Sequence, residues 1–234
     1  MYIIFLLGLL SIELLVFTDA FIYSPFQTYS SRARFALRLQ EHNHGEMTEK
    51  VARAISFDDA QVLGEKLATV LSTSCKAGEP MPEEAVTLLR ALISTTAGAR
   101  GWFVTLLTNP DFDAVFQSPI DEALLQAICD NPTPNIRLMT MNVAMSTATE
   151  LAHLRMGNED MAAGSRMTRD RSTVLVVELI DRLPGLREAV GGLLSAVKPE
   201  REDGEKEWAD FCVKWGYDEE QKEAIRNQVE PLLL

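Results

Sequence analysis

Helix-start signals recur along this chain, and each precedes apolar residues at helical spacing. Ser56 stands before Asp58 and Asp59, which places a hydroxyl ahead of acids in a first helical turn. Pro82 stands before Glu83 in the same way, with proline in the first turn. Apolar residues follow both signals every three or four positions, the pattern of amphipathic helices joined by short loops. The chain is therefore predicted to be all-α, a multi-helix bundle or short α-solenoid of about seven to nine helices.

One segment has the composition of a β-strand. Residues 172–180 read STVLVVELI, a run rich in β-branched side chains. The sequence offers no second strand-like segment to pair with it, and a lone strand leaves its backbone hydrogen-bonding groups unsatisfied. A helix that is entered from Met161 onward and ends before Pro184 is therefore predicted.

Two glycines interrupt the helix that is predicted to start at Pro82. Glycine costs a helix interior about 1 kcal/mol relative to alanine. Gly98 and Gly101 are therefore predicted to kink or split this helix before the apolar run at Trp102.

The N-terminus has the layout of a secretory signal peptide, residues 1–20. Tyr2 to Phe17 is almost wholly apolar, and sixteen helical residues rise about 24 Å, short of a hydrocarbon core of about 30 Å. Thr18 and Ala20 then supply the residues expected before a cleavage site. The alternative is a membrane anchor that remains attached.

Residues 21–40 have the composition of an organelle transit peptide. They contain Arg32, Arg34 and Arg38 and several hydroxyl side chains, and no acid. A signal peptide followed by a transit-like segment, with Ala20 and Phe21 at the junction, resembles the two-part plastid presequence of diatoms and related stramenopiles. That resemblance implies import into a plastid, to the stroma or the stromal face of the thylakoid. The secretory pathway is the alternative.

The acidity of the chain belongs to the part after this presequence. Two acids and three bases fall in the first forty residues, so the remaining 194 residues hold 32 acidic and 19 basic residues, a net charge of −13. Such a surface argues against nucleic-acid binding, because phosphate contacts need clustered Lys and Arg. The predicted organisation is a helical core at 41–198 and an acidic C-terminal helical segment at 199–234.

The longest predicted helix runs from Asn135 to Met156 and is mostly apolar, which indicates burial. At about 100° per residue, four polar side chains share one narrow face and a glutamate lies beside them. This polar stripe consists of Asn142, Ser146, Thr149, His153 and Glu150.

The polar stripe has two interpretations. In the first it makes a polar contact with a partner helix, or it lines a pocket for a small ligand or pigment or the site of an enzyme, with His153 as the titratable group. In the second it is a helix edge that meets water, or a hydrogen-bonded seam between helices. The sequence leaves both open.

Four arginines lie close together just after the stripe, in an otherwise acidic chain. One interpretation is an anion site for a phosphate, a carboxylate or a partner's acidic face. The other is internal ion pairing, with Glu159, Asp160, Asp170, Glu178 or Asp181 as partners; Arg171 and Glu178, seven residues apart, share a helix face. The four are Arg155, Arg166, Arg169 and Arg171.

The C-terminal segment combines high acidity with an aromatic helical face. Trp208, Phe211 and Trp215 are spaced to lie on one side of a helix. They would either anchor in a groove of a partner protein or pack back on the chain's own helices. The apolar tail 231–234 would allow peripheral contact with a membrane.

The sequence carries no catalytic or cofactor signature. It contains no P-loop, GxGxxG or GxSxG pattern, and its three cysteines show no CxxC spacing. Neither catalytic residues, nor a metal site, nor a cofactor is therefore predicted, and enzymatic activity is not favoured.

The stretch from Gly101 through Pro110 to Arg169–Ser172 resembles helical proteins of cyanobacteria and algal plastids without an assigned role. With the plastid presequence, this resemblance implies a soluble plastid protein. The hypothesis is that it binds another protein during assembly, regulation or peripheral decoration of a photosynthetic complex.

Overall fold

The structure, a computed structural model, describes residues 52–117, 119–198 and 206–234. Within these ranges the chain forms nine α-helices and two 3-10 helices and no strand, which confirms the all-α prediction. The predicted signal peptide (1–20) and the predicted transit-like segment (21–40) lie outside the described residues. The α-helices are α1 (Phe57–Ala77), α2 (Glu83–Ile93), α3 (Thr96–Thr108), α4 (Glu122–Cys129), α5 (Pro132–Arg155), α6 (Glu159–Leu179), α7 (Leu186–Val197), α8 (Lys206–Trp215) and α9 (Glu219–Val229); the 3-10 helices are Pro110–Phe116 and Glu230–Leu233.

Helix α5 is the centre of the bundle. All ten residues from Met139 to Ala148 are buried, because α3, α4, α6, α7 and α9 surround this helix. Its most extensive contact is with α6. A helix enclosed in this way must satisfy its polar side chains within the protein.

The prolines that were expected to precede α5 belong to it. The helix begins at Pro132 rather than at Asn135. Pro132 and Pro134 both fit the first turn, where backbone N–H groups have no partner within the helix. The ambiguous run at 172–180 is helical as predicted, since α6 extends through Leu179.

The break between α2 and α3 lies earlier than the glycines that were predicted to cause it. Helix α2 ends at Ile93, and the Thr95 hydroxyl caps α3 by accepting a 3.1 Å hydrogen bond from the Gly98 backbone N–H. Gly101 therefore lies inside a continuous helix. The interruption follows from an N-cap, not from glycine flexibility.

Gly101 is instead the point where α3 crosses α1. A Cβ atom placed on Gly101 would lie 2.6 Å from the Ala60 Cβ and 2.9 Å from the Ala60 carbonyl carbon. Since real Cβ atoms do not approach other carbons this closely, only glycine permits the observed packing of the two backbones.

The C-terminal helices belong to the same bundle. Helix α9 packs on α5 and α7, with Ile225 and Val229 buried, and α8 packs on α7. None of the described helices is both long enough and apolar enough to cross a membrane.

Candidate functional site

The polar stripe and the arginine cluster meet where α5 packs on α6. The Glu150 carboxylate is only 7% exposed. It accepts a 2.7 Å hydrogen bond from Arg166 Nε and another from Arg169 Nη1. Arg169 also pairs with Asp170 at 2.8 Å. This group, here called the Glu150 seam, is an ion-pair network that links α5 to α6.

The rest of the polar stripe is enclosed beside this seam. Asn142, Ser146 and His153 are buried, and Thr149 is half-buried. The Ser146 hydroxyl donates to the Asn142 backbone carbonyl one helical turn earlier, so it needs no partner outside the helix. The geometry is that of a polar seam between helices, the second of the two interpretations.

His153 is the least satisfied member of the stripe. Its side chain is buried, and the Nδ1 atom has no hydrogen-bond partner. Burial lowers the pKa of His153, because an apolar environment disfavours the charged imidazolium. A neutral, packed imidazole does not offer the accessible group that a ligand pocket centred on His153 requires.

Arg171 is the most buried of the four arginines. Its guanidinium pairs with Asp113 of the 3-10 helix and lies 4.9 Å from the centre of the Phe116 ring. Its observed partner is therefore Asp113, whereas helical spacing had indicated Glu178. The guanidinium also donates to three backbone carbonyls at the end of α3, those of Leu106, Leu107 and Asn109, over 3.2, 3.1 and 2.8 Å. This arginine thus satisfies the carbonyls that the end of a helix leaves unpaired.

Arg155 connects the end of α5 to the start of α9. It donates to Asp218 over 2.5 Å and also pairs with Glu220. These bonds raise the pKa of Arg155 and lower the pKa of Asp218 to about 2. Asp218 is at the same time the N-cap of α9, where its side chain accepts a 2.9 Å hydrogen bond from the Gln221 backbone N–H.

All four predicted anion-site arginines therefore have carboxylate partners within the chain. Of the acids that the sequence suggested as partners, Asp170 is one that pairs. The other observed partners come from distant segments, so internal pairing describes these side chains better than an open anion site. Those partners are Asp113, Glu150, Asp218 and Glu220.

The aromatic residues of α8 pack inward. Trp208 and Phe211 are buried, Trp215 is half-buried, and Tyr217 joins them after the helix. Phe211 makes edge contacts with all three other rings, at centroid distances of 5.6, 6.5 and 5.8 Å. The face that was considered for partner docking is thus used to hold α8 within the bundle, the alternative that the sequence left open.

Apolar side chains are exposed instead at the turn between α5 and α6. Met156 is 70% exposed and Leu154 is 38% exposed. Glu159 and Asp160, both exposed, follow directly in the first turn of α6. This α5–α6 turn, defined by these four residues, pairs an apolar tip with an acidic border. Helical periodicity did not reveal it, because Leu154 continues the apolar pattern of α5.

A second feature that sequence reasoning missed is a cavity of about 250 Å³ beside α8. Lys198, Lys222 and Tyr217 are among the residues that line it. These residues lie on three different segments, and no spacing along the chain brings them together. Among the described residues, no group of three or more His, Cys, Asp or Glu side chains is placed to hold a metal ion.

Comparison with known families identifies a matching family. A family model described as Uncharacterised conserved protein UCP020893 matches residues 56–232. The chain belongs to this family. The family region begins at Ser56, the N-cap of α1, and includes the Glu150 seam, the α5–α6 turn and the cavity. Neither the curated proteins nor the solved structures include a significant match.

Proposed function

We propose that this family member acts by binding a basic surface of another protein, as an assembly factor, regulator or peripheral subunit of a photosynthetic complex in a plastid. The observation that carries the proposal is that the arginines of the chain are paired internally. Ten of its basic side chains, nine of them arginines, pair with acids of the same chain. Because residues 41–234 have a net charge of −13, the acids in excess remain for an external partner.

The α5–α6 turn is the surface best suited to that partner. Interfaces combine an apolar centre with a polar border, and exposed Met side chains adapt to varied partner surfaces. Met156 and Leu154 provide the apolar centre, and Glu159 and Asp160 provide a border of negative charge. A basic partner would gain both contacts at once.

Affinity purification of the full chain from diatom stromal and thylakoid fractions tests this proposal. We expect Leu154→Ser combined with Met156→Ser to lose the bound partner. Val177→Ser is the matched control, since Val177 is an apolar α6 side chain with 56% exposure outside the turn. Rising salt is expected to release the partner, because exposed charges are screened.

Three outcomes of this purification contradict the proposal. They are equal capture by the double variant and the native chain, a partner surface that is not basic, and a chain that runs as a partner-free monomer at native levels. The plastid address has its own test. A fluorescent fusion of residues 1–45 is expected to accumulate in the diatom plastid, and fluorescence confined to the secretory pathway would support secretion instead.

A further inference from the structure

The backbone around Met156 is fixed by hydrogen bonds, although its side chain is open to solvent. The Gly157 N–H donates to the Leu154 carbonyl over 3.0 Å. The Asn158 N–H donates to the His153 carbonyl, also over 3.0 Å, and these two bonds are the closure of a Schellman motif. Gly157 has a φ of +70°, the left-handed conformation that this closure needs. The exposed thioether of Met156 is therefore carried by a closed turn rather than by a loose loop.

Met156 differs in exposure from the other methionines that the structure describes. Its residue is 70% exposed. Four of the others are buried in the bundle, and two on α6 are half-buried. The buried ones are Met81, Met139, Met141 and Met145, and the half-buried ones are Met161 and Met167. An oxidant in solution must reach the sulfur atom, so among these methionines Met156 is expected to react first.

Oxidation of Met156 would change the chemical character of the α5–α6 turn. A peroxide transfers one oxygen atom to the Met156 Sδ atom and its O–O bond breaks. The sulfur is oxidised to a sulfoxide, and the peroxide is reduced to water or an alcohol. A sulfoxide is polar, so the apolar centre of the turn would shrink to Leu154, which is only 38% exposed. Methionine sulfoxide reductases restore the thioether, so the change is reversible.

We propose that Met156 is a reversible oxidation site, and that its sulfoxide form prevents a partner from binding at the α5–α6 turn. The inference rests on the proposed function, because the effect of oxidation requires a partner at this turn. Peroxide acts on the free chain, where the thioether is open. A bound partner covers the thioether and protects it.

Mapping of oxidation on the purified full chain tests the site without any partner. After treatment with hydrogen peroxide, mass spectrometry measures the sulfoxide fraction at each methionine from Met81 to Met167. We expect Met156 to be oxidised at least about tenfold faster than the four buried methionines, and sulfoxide reductases to reverse the change. Circular dichroism should show an unchanged helical fold. Oxidation of a buried methionine as fast as Met156 would overturn the assignment.

Capture by the oxidised chain tests the regulation. The probe is the basic protein that the untreated native chain captures from diatom stromal and thylakoid fractions, quantified by mass spectrometry. The chain is treated with peroxide and freed from it before this step. We expect the treated native chain to capture at least about tenfold less of this protein, because the apolar contact of Met156 is lost.

Variants at Met156 separate its oxidation from that of other residues. Met156→Leu should capture the protein equally before and after treatment, since leucine is apolar and does not react with peroxide. Met156→Gln places a polar side chain of similar length at the turn and should capture little without peroxide. Met161→Leu is the matched control, and its capture should remain sensitive to peroxide.

Two kinds of failure can be told apart. Equal capture by the treated and untreated native chain, or loss of capture by treated Met156→Leu, would overturn this inference and leave the proposed function intact. Absence of capture by the untreated native chain would contradict the proposed function, and the regulatory inference with it.

Discussion

Arg166 on α6 donates a 2.7 Å hydrogen bond to Glu150 on α5, and this pair joins the polar stripe to the arginine cluster. Arg169 pairs with the same carboxylate. Two cations therefore share one buried anion. The seam depends more on Glu150 than on either arginine, because removal of the anion leaves both guanidinium groups without their common partner.

Glu150→Gln tests this dependence. We expect the free energy of unfolding to fall by about 2–3 kcal/mol, since two charge-assisted hydrogen bonds are weakened at a buried site. Urea denaturation followed by circular dichroism measures it. Arg166→Gln is the control with a smaller expected loss, about 1 kcal/mol or less, because the Arg166 side chain is half-exposed. If Arg166→Gln lowers the free energy of unfolding more than Glu150→Gln does, the seam depends more on the arginine than on the glutamate.

The stability of the bundle is expected to depend on pH through His153. Burial lowers the pKa of His153 in the folded chain, so the unfolded chain binds a proton first as the pH falls below about 6.5. The free energy of unfolding should therefore decrease from pH 7.5 to 5.5 and level off below the folded pKa. His153→Gln should lose this part of the pH slope. An unchanged slope in the variant would assign it to other groups.

Asp218 is expected to stabilise the start of α9 as an N-cap. Asp218→Ala should lower the free energy of unfolding by about 1 kcal/mol, and Asp218→Asn by less, because asparagine also accepts the capping hydrogen bond. The ion pair with Arg155 depresses the pKa of Asp218 to about 2, below the ordinary value of 3.8. Its contribution is therefore complete above about pH 4 and lost as the pH falls through 2. Acid titration of the melting temperature, compared between Asp218→Asn and the native chain, measures this part.

Gly101→Ala should destabilise the chain by about 1–3 kcal/mol, because the new methyl group overlaps Ala60 on α1. Gly164→Ala is the matched control within a helix. A Cβ on Gly164 meets nothing within 4 Å, so this variant should gain about 0.5–1 kcal/mol from helix propensity. A lower melting temperature for Gly101→Ala together with a higher one for Gly164→Ala would confirm the close crossing of α1 and α3. A higher melting temperature in both variants would refute this crossing.

The helices could be predicted from local patterns in the sequence. The absence of a partner strand for residues 172–180 was enough to assign the C-terminal half of α6 to a helix. The narrow stripe on α5 was visible because a helix repeats its faces every 3.6 residues. Its interpretation as a seam or a pocket was open, since burial depends on neighbours that the spacing of one helix does not identify.

The features that the sequence did not reveal depend on contacts between residues far apart in the chain. Arg171 meets Asp113 across 58 residues, and Arg155 meets Asp218 across 63 residues, so helical spacing could not identify these partners. The same holds for the aromatic face of α8, whose periodicity fits either a docking surface or a packed one. The cavity was hidden for the same reason, since its lysines belong to different segments.

The enclosure of α5 also determines where this fold can acquire new contacts. A helix buried along ten consecutive residues presents exposed side chains only toward its two ends. At its C-terminal end, Arg155 anchors α9 while Met156 remains exposed. Under the proposed function, substitutions at this end would change the contact with a partner without disturbing the core, whereas a change in the middle of α5 would disturb its packing against the five helices around it.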